Sequence, residues 1–418
     1  MGLEENHEIV IDKPSIKKLP IAIPLFKTIP GNRPDLSRGA SDMLWNTLEF
    51  TGYFKMLDRN TFLEDPQTFD VTFSDGTFHK WTRIGAELVV TGSIWIKDNN
   101  MIEMELRLFD SFKKQLLIGK EYRGWIKDQQ RMVRRFCSDV IYMLSGNRGL
   151  FESKIAFVST GTGNKEIYTC DFDGQNPRQF TNDKNIALFP AWSWDGKWLA
   201  YTSYKRRKPD IYIKHYRDKR GTVIAKKGIN TTPAWLPGKS MLSATLSFEG
   251  SQDIYLLTDK GRVTKRLTRK WGIDTSPTWS PDGKKMAFVS DRAGSPQIYI
   301  KDLYSGTERR LTFDGSKYNT QPSWSPKGDQ IAYSSMERGE INIRVIGFDG
   351  RSPRQLTYNS GKNESPSWSP DGSMIVFSST REGYPKIYVM TVRGTDQRRL
   401  LSLPGRQTGP AWSPRAVN

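Results

Sequence analysis

The chain has 418 residues, which at roughly 100–200 residues per domain calls for two or three domains. Hydrophobic residues at 36%, with 13 Trp, 16 Tyr and 20 Phe, exclude a disordered chain, and two cysteines with three histidines exclude a disulfide scaffold and speak against a zinc enzyme. The net charge of +18 is uneven, because residues 1–150 hold 21 basic and 20 acidic side chains whereas residues 151–418 hold 42 and 25.

That imbalance marks a boundary near residue 150. A basic C-terminal two-thirds favours acidic partners: protein, nucleic acid or an anionic envelope surface. No stretch approaches the ~18–20 apolar residues of a membrane helix. The opening Met1-Gly2-Leu3-Glu4-Glu5-Asn6 is acidic and has no apolar core, so it does not read as a signal peptide. It suits either a cytosolic chain or the mature form of an exported one.

After a tail over residues 1–18, residues 20–26 read as an apolar strand. Leu36, Ala40, Met43, Leu44 and Leu48 recur at the spacing of one helix face over 36–50. Residues 87–97 and 102–109 read as a hairpin around Asp98-Asn99-Asn100. Ile102, Met104, Leu106 and Leu108 alternate there with Glu103, Glu105 and Arg107, which leaves one wet face. A last helix over 128–144 buries Met132, Phe136, Val140 and Leu144. Strands and helices interleaved make residues 19–148 a small α/β domain. Cys137 on that helix and Cys170 beyond it are expected to be free buried thiols.

From residue 149 onward the sequence repeats. Pro-x-Trp recurs at Trp192, Trp235, Trp279, Trp324, Trp368 and Trp412, spaced 43, 44, 45, 44 and 44 residues apart. Ser-Pro-Asp-Gly turns or variants follow, as at Ser280-Pro281-Asp282-Gly283 and Ser369-Pro370-Asp371-Gly372. Next comes a run of the Ile155-Ala156-Phe157-Val158 type. A further piece follows at Ile167-Tyr168, Ile211-Tyr212, Ile254-Tyr255, Ile298-Tyr299, Ile341-Asn342 and Ile387-Tyr388, and an Arg-x-Leu-Thr-like segment ends most units. Short β-branched and aromatic runs between Gly, Pro and Asp turns are strands. Four strands per ~44 residues is the arithmetic of a propeller blade. The predicted architecture is a two-domain α+β/all-β chain: the N-terminal α/β domain, then a six-bladed β-propeller over 149–418. The first unit lacks its own Pro-x-Trp strand and the last unit has nothing else, so the C-terminal strand is expected to close the ring by completing the first blade. The tryptophans are expected to be core, and the Asp-Gly turns structural rather than calcium-binding.

If the Pro-x-Trp strand is innermost, the loops entering it share one face with the loops between the second and third strands; the tight turns take the other. Longer, varied loops are where binding residues gather. Each loop entering an inner strand carries a cation: Lys184, Lys227, Lys270, Lys317, Lys362 and Arg406. Companion loops add Lys165, the run Lys205 to Lys208, Arg292, Arg338 and Arg381. Short polar side chains beside the inner strands, namely Asn230, Thr231, Asp274, Thr275, Asn319, Thr320, Asn363, Gln407 and Thr408, are expected to rim the channel mouth and to bind a protein partner steered by the cations.

No catalytic chemistry accompanies this. Gly-x-Ser-x-Gly, Walker loops and His-Glu-x-x-His are absent, and His7, His79 and His215 lie in unrelated settings. The chain reads as no enzyme, with no cofactor, metal or small-molecule substrate. An alternative is a binder of nucleic acid or another anionic polymer through the basic propeller face, which would need aromatic side chains exposed among the cations. Tyr204, Trp271, Tyr318 and Tyr384 are the candidates.

Across essentially its whole length the chain resembles the TolB family of Tol-Pal system proteins. The likeness rests on a small α/β domain, six blades with Pro-x-Trp-Ser-Pro-Asp-Gly, and the terminal Ala411-Trp412-Ser413-Pro414. The resemblance implies a monomeric periplasmic scaffold without stable membrane insertion. It implies a propeller mouth that binds the lipoprotein Pal, and an N-terminal segment that engages TolA, here Glu8, Ile9, Val10 and Ile11, by adding a strand to the partner's sheet. Other envelope proteins, outer-membrane integrity and cell division belong to the same expectation. The missing signal peptide and the strong basic charge depart from the family pattern.

Overall fold

The computed structural model describes residues 18–29, 33–62, 75–97, 100–313 and 316–415. The chain divides into two compact units, Met1–Phe151 and Glu152–Asn418. The expected TolA-binding segment Glu8 to Ile11 lies outside the described residues.

The first unit runs β1 (Leu19–Ala22), β2 (Lys27–Ile29), α1 (Pro34–Phe50), β3 (Phe54–Met56), α2 (Asp75–Arg83), β4 (Leu88–Ile96), β5 (Met101–Asp110), β6 (Gln115–Trp125) and α3 (Gln129–Ser145). The sheet order is β3-β1-β4-β5-β6, with β2 also paired to β4. The strand expected over 20–26 ends at Ala22: residues 23–26 leave the ladder where Pro24 lacks the N–H that a ladder needs, and pairing resumes in β2 at Lys27. Helix α1 begins at Pro34, whose fixed φ suits the first helical position. It buries Leu36, Ala40, Leu44 and Leu48, with Met43 only half-buried. On β5 the alternation holds: Ile102, Met104, Leu106 and Leu108 are buried and the charged residues between them half-exposed. Helix α3 buries Met132, Phe136, Val140 and Leu144. Cys137 and Cys170 are both free and buried, and burial raises both thiol pKa values, which keeps them protonated and unreactive.

The second unit is six four-stranded antiparallel sheets. The inner strands are Ala187–Trp192, Asn230–Trp235, Asp274–Trp279, Tyr318–Trp324, Asn363–Trp368 and Gln407–Trp412. Blades 2 to 6 take theirs, in that order, from their own repeat. Blade 1 is closed by the C-terminus: Gln407–Trp412 pairs with Lys154–Ser159, which continues to Glu166–Asp171 and Arg178–Gln179. The closure abolishes two open sheet edges.

Each part of the repeat has a visible duty. The indoles of Trp192, Trp235 and Trp368 donate to the carbonyls of Ala411, Ala191 and Ser323, at 3.1, 3.2 and 3.0 Å, so each ties its blade to the inner strand of the blade before. All but Trp235 are buried. The threonine of the Leu-Thr ending caps the third strand: the Thr181, Thr268, Thr312 and Thr357 hydroxyls accept from the N–H groups of Ile167, Ile254, Ile298 and Ile343. This fixes the blade 5 alignment. The counterpart of Ile298 there is Ile343, not Ile341, because the hairpin Gln330–Glu337 and Glu340–Gly347 extends the blade by two residue pairs at the loop end.

Candidate binding face

Around the central axis every inner strand carries a bulge. The register slips between its outer and inner halves in all six blades. The residue before the repeated proline takes positive φ: Phe189 53°, Thr232 46°, Ser276 52°, Gln321 54°, Ser365 57° and Gly409 55°. For a non-glycine residue this costs about 1–3 kcal/mol, so five of the six positions store strain. Polar side chains hold it in place. Thr232 Oγ1 accepts from Ser276 N at 3.4 Å, and Gln321 Oε1 accepts from Ser365 N at 2.9 Å and from Ser334 Oγ at 2.8 Å. The Thr232, Thr245 and Thr275 hydroxyls form a further chain, at 2.8 and 3.2 Å.

The residues expected at the mouth separate into two sets. Thr231, Thr275, Thr320 and Thr408 are half-buried beside the bulges. Asn230, Asp274, Asn319, Asn363 and Gln407 do not rim the mouth; all are fully buried. Strand alternation turns the first residue of the pair inward, where it anchors the loop leading into its own strand. Asn230 Nδ2 donates to Lys226 O at 2.8 Å, Asn363 Nδ2 to Gly361 O at 3.0 Å, and Gln407 Nε2 to Pro404 O at 2.8 Å. Asn319 Nδ2 reaches Gln297 Oε1 at 2.9 Å. Asn230, Asn363 and Gln407 thus hold their loops from inside the blade.

Asp274 differs because it faces a cation. Arg292 Nη2 lies 3.0 and 2.9 Å from its two carboxylate oxygens, Arg292 Nη1 lies 2.5 Å from Glu308, and Lys301 lies 2.8 Å from the other Glu308 oxygen. Burial raises the Asp274 pKa in spite of hydrogen bonds from Ser290 and Arg292 that pull it down. At Glu308 burial pushes upward too, but the bonds from Lys301 and Arg292 prevail and hold its pKa below the usual value. Arg292 is therefore an internal tie, not the surface cation expected. Arg381 is likewise turned in, toward Ser379 Oγ at 2.9 Å and Gln397 Oε1 at 2.8 Å.

All six expected rim cations, Lys184, Lys227, Lys270, Lys317, Lys362 and Arg406, are exposed. Lys270 stands 3.7 Å from Glu308, and Arg406 sits 5.7 Å over the Tyr384 ring. The same face carries large apolar side chains in the open: Trp271 is 81% exposed, Phe313 72%, Tyr358 62% and Tyr384 62%, with Ile186, Phe189, Ile273 and Tyr318 also exposed. Tyr204 is half-buried. Phe189, Ile273, Phe313 and Tyr358 escape sequence reasoning aimed at cations and small polar groups. A signal exists for two of them, since Phe313 and Tyr358 each directly follow a Leu-Thr ending, where the chain must leave the blade. The opposite face, made of tight turns, exposes Trp194, Tyr304 and Phe348. Among the described residues no group of three or more His, Cys, Asp or Glu is placed to hold a metal ion.

Comparison with known proteins follows this architecture. The family model described as the TolB beta propeller domain matches residues 142–416, and the TolB amino-terminal domain matches residues 7–117. A Tol-Pal system protein TolB from Desulfosudis oleivorans is 56% identical over 263 residues, covering 62% of this chain and 60% of that protein. A protein TolB homolog from Chlorobaculum tepidum is 44% identical over 266 residues, covering 64% and 60%. The chain thus spans about 60% of the length of these curated relatives. The crystal structure of TolB from Acinetobacter baumannii superposes with a TM-score of 0.83 at 27% identity, covering 95% of this chain and 97% of that one.

Proposed function

The chain belongs to the TolB family, and on that premise we propose that it is a non-enzymatic scaffold of the Tol-Pal system, acting in the periplasm. The propeller's loop face captures Pal, and the segment Glu8 to Ile11 engages TolA, in support of outer-membrane integrity and cell division. No helix among the described residues is long and apolar enough to cross a membrane.

One observation carries this reading. Eight exposed large apolar side chains and the six loop cations gather on the face that surrounds the strained bulges. Exposed tryptophan, tyrosine and arginine side chains are the usual anchors of protein-binding hot spots. Thr231, Thr275, Thr320 and Thr408 are the mouth residues placed to meet a partner. Replacing Thr320 and Thr408 together by arginine is expected to fill the mouth and weaken Pal at least tenfold in a titration with soluble Pal, with an unchanged melting temperature. Full affinity in that variant would remove the mouth from the interface.

The second reading, an anionic-polymer binder, draws on Trp271, Phe313, Tyr358 and Tyr384 standing among Lys270, Lys317, Lys362 and Arg406. Salt-sensitive binding of random single-stranded DNA, with none of Pal, would favour it.

A further inference from the structure

The cations of the loop face are not evenly matched. In blades 3, 5 and 6 an exposed glutamate in or beside the loop between the second and third strands is held by a strand arginine: Glu249 by Arg266 at 2.9 Å, Glu337 by Arg344 at 3.0 Å and Glu382 by Arg399 at 2.9 Å. Blades 1 and 2 and the loop into blade 3 follow no such pattern. Lys165, Lys184, Arg206, Arg207 and Lys227 are exposed and Lys226 half-buried, and among the described residues none of their charged groups lies within 4 Å of a carboxylate oxygen. The three acids at these loops, Glu166, Asp183 and Asp210, are buried; Glu166 is bonded by the Thr181 hydroxyl and the Lys184 backbone N–H, Lys205 lies 3.5 Å from Asp183, and Lys208 bonds Asp210.

These loops are neighbours in space. Ala187 N donates to Lys165 O at 2.7 Å, Tyr204 N to Ile186 O at 2.8 Å, and Asn230 N to Pro209 O at 3.1 Å. The result is one arc whose exposed charge has a single sign, while the most exposed apolar side chains of this face, Trp271, Phe313, Tyr358 and Tyr384, stand on loops that enter or belong to blades 4 to 6.

We propose that the arc from Lys165 to Lys227 receives an acidic patch of the protein partner captured on this face, so that the partner lies acidic side over blades 1 to 3 and apolar side over blades 4 to 6. This rests on the reading of the loop face as a protein-binding surface. Like charges packed without counter-charges raise the local potential, which attracts an acidic surface from beyond contact distance and sets its orientation. A nucleic acid fits the arc less well, because the arc cations have only half-buried Tyr204 and the aliphatic Ile186 and aromatic Phe189 near them, too little stacking surface for bases.

The test uses the full chain and its variant with Lys165→Glu, Lys184→Glu, Arg206→Glu and Lys227→Glu, all at exposed loop positions. With soluble Pal in stopped flow, the variant's association rate is expected to fall at least about tenfold at ~20 mM salt, the gap to close near ~200 mM, and dissociation to stay unchanged. Equal rates with equal salt dependence would overturn the proposal. So would a parent chain whose binding to single-stranded DNA or anionic vesicles, but not to Pal, is lost in the variant. An oligo-glutamate peptide separates the two readings. If Pal does not bind at all, the function proposed above fails, while peptide binding by the parent and its loss in the variant still support the arc; no binding by either chain overturns it.

Discussion

Deleting residues 407–418 is expected to leave the propeller with no cooperative melting transition. The deletion removes the inner strand of blade 1, whose partner Lys154–Ser159 then presents a bare ladder edge. It removes Trp412, buried and hydrogen-bonded to Ser153 Oγ at 2.8 Å, and Ser413, whose hydroxyl accepts from Lys154 N at 2.8 Å. A buried tryptophan alone contributes up to ~4–6 kcal/mol, from roughly 150–250 Å² at about 25 cal/mol per Å². Domains of this kind are stable by only about 5–15 kcal/mol, so losing the indole and six residues of ladder together exhausts the margin. Calorimetry checks this. A truncated chain whose propeller melts within a few degrees of the parent would show that the ring does not need its closing strand.

The second large effect is expected from Arg292→Ala. Asp274 is fully buried and Glu308 nearly so, and Arg292 bridges them. Removing one partner of a buried ion pair leaves an uncompensated charge and costs about 3–5 kcal/mol. Lys301 still serves Glu308, so the stranded group is Asp274. Burial already raises its pKa, and without the guanidinium it rises further. A carboxyl that holds its proton more tightly folded than unfolded makes the folded state the more protonated one, so stability falls as pH rises through the folded pKa. The variant's deficit is therefore expected to be smaller near pH ~5 than near pH ~7.5, and Arg292→Ala with Asp274→Asn to recover most of it. A deficit independent of pH, or no rescue by asparagine, would assign the loss to packing instead.

Much of this architecture is legible in the sequence because every blade repeats the same solution. The Pro-x-Trp spacing reports the inner strands since the indoles of Trp192, Trp235, Trp279 and Trp368 reach the preceding blade, and the Leu-Thr endings report the fourth strands since the threonine caps the third. The closing strand follows from counting units. Legibility fails where one side chain serves two masters. Strand β6 is an edge with most of its side chains exposed, so it lacks the alternation that marks its neighbour β5. Asn230, Asp274, Asn319, Asn363 and Gln407 are polar residues at the mouth in sequence yet buried in the fold, because loops need internal hydrogen bonds as much as partners need external ones. Arg292 and Arg381 look like rim cations, but their targets, Asp274 and Gln397, are 18 and 16 residues away and carry no local mark. The exposed Phe313 and Tyr358 are hidden by the opposite prejudice, that aromatics in a repeat are core.

The most direct test of the loop face is a comparison of the two faces in calorimetric titrations with soluble Pal. Trp271→Ala with Phe313→Ala strips two of the most exposed side chains of the loop face, and Trp194→Ala with Tyr304→Ala does the same on the tight-turn face, where Trp194 is 47% and Tyr304 100% exposed. The loop-face pair is expected to weaken Pal by about 30-fold or more, the scale of losing ~2 kcal/mol at a hot spot, while the turn-face pair leaves affinity unchanged. Pal binding that survives the loop-face pair and is lost with the turn-face pair would contradict the assignment.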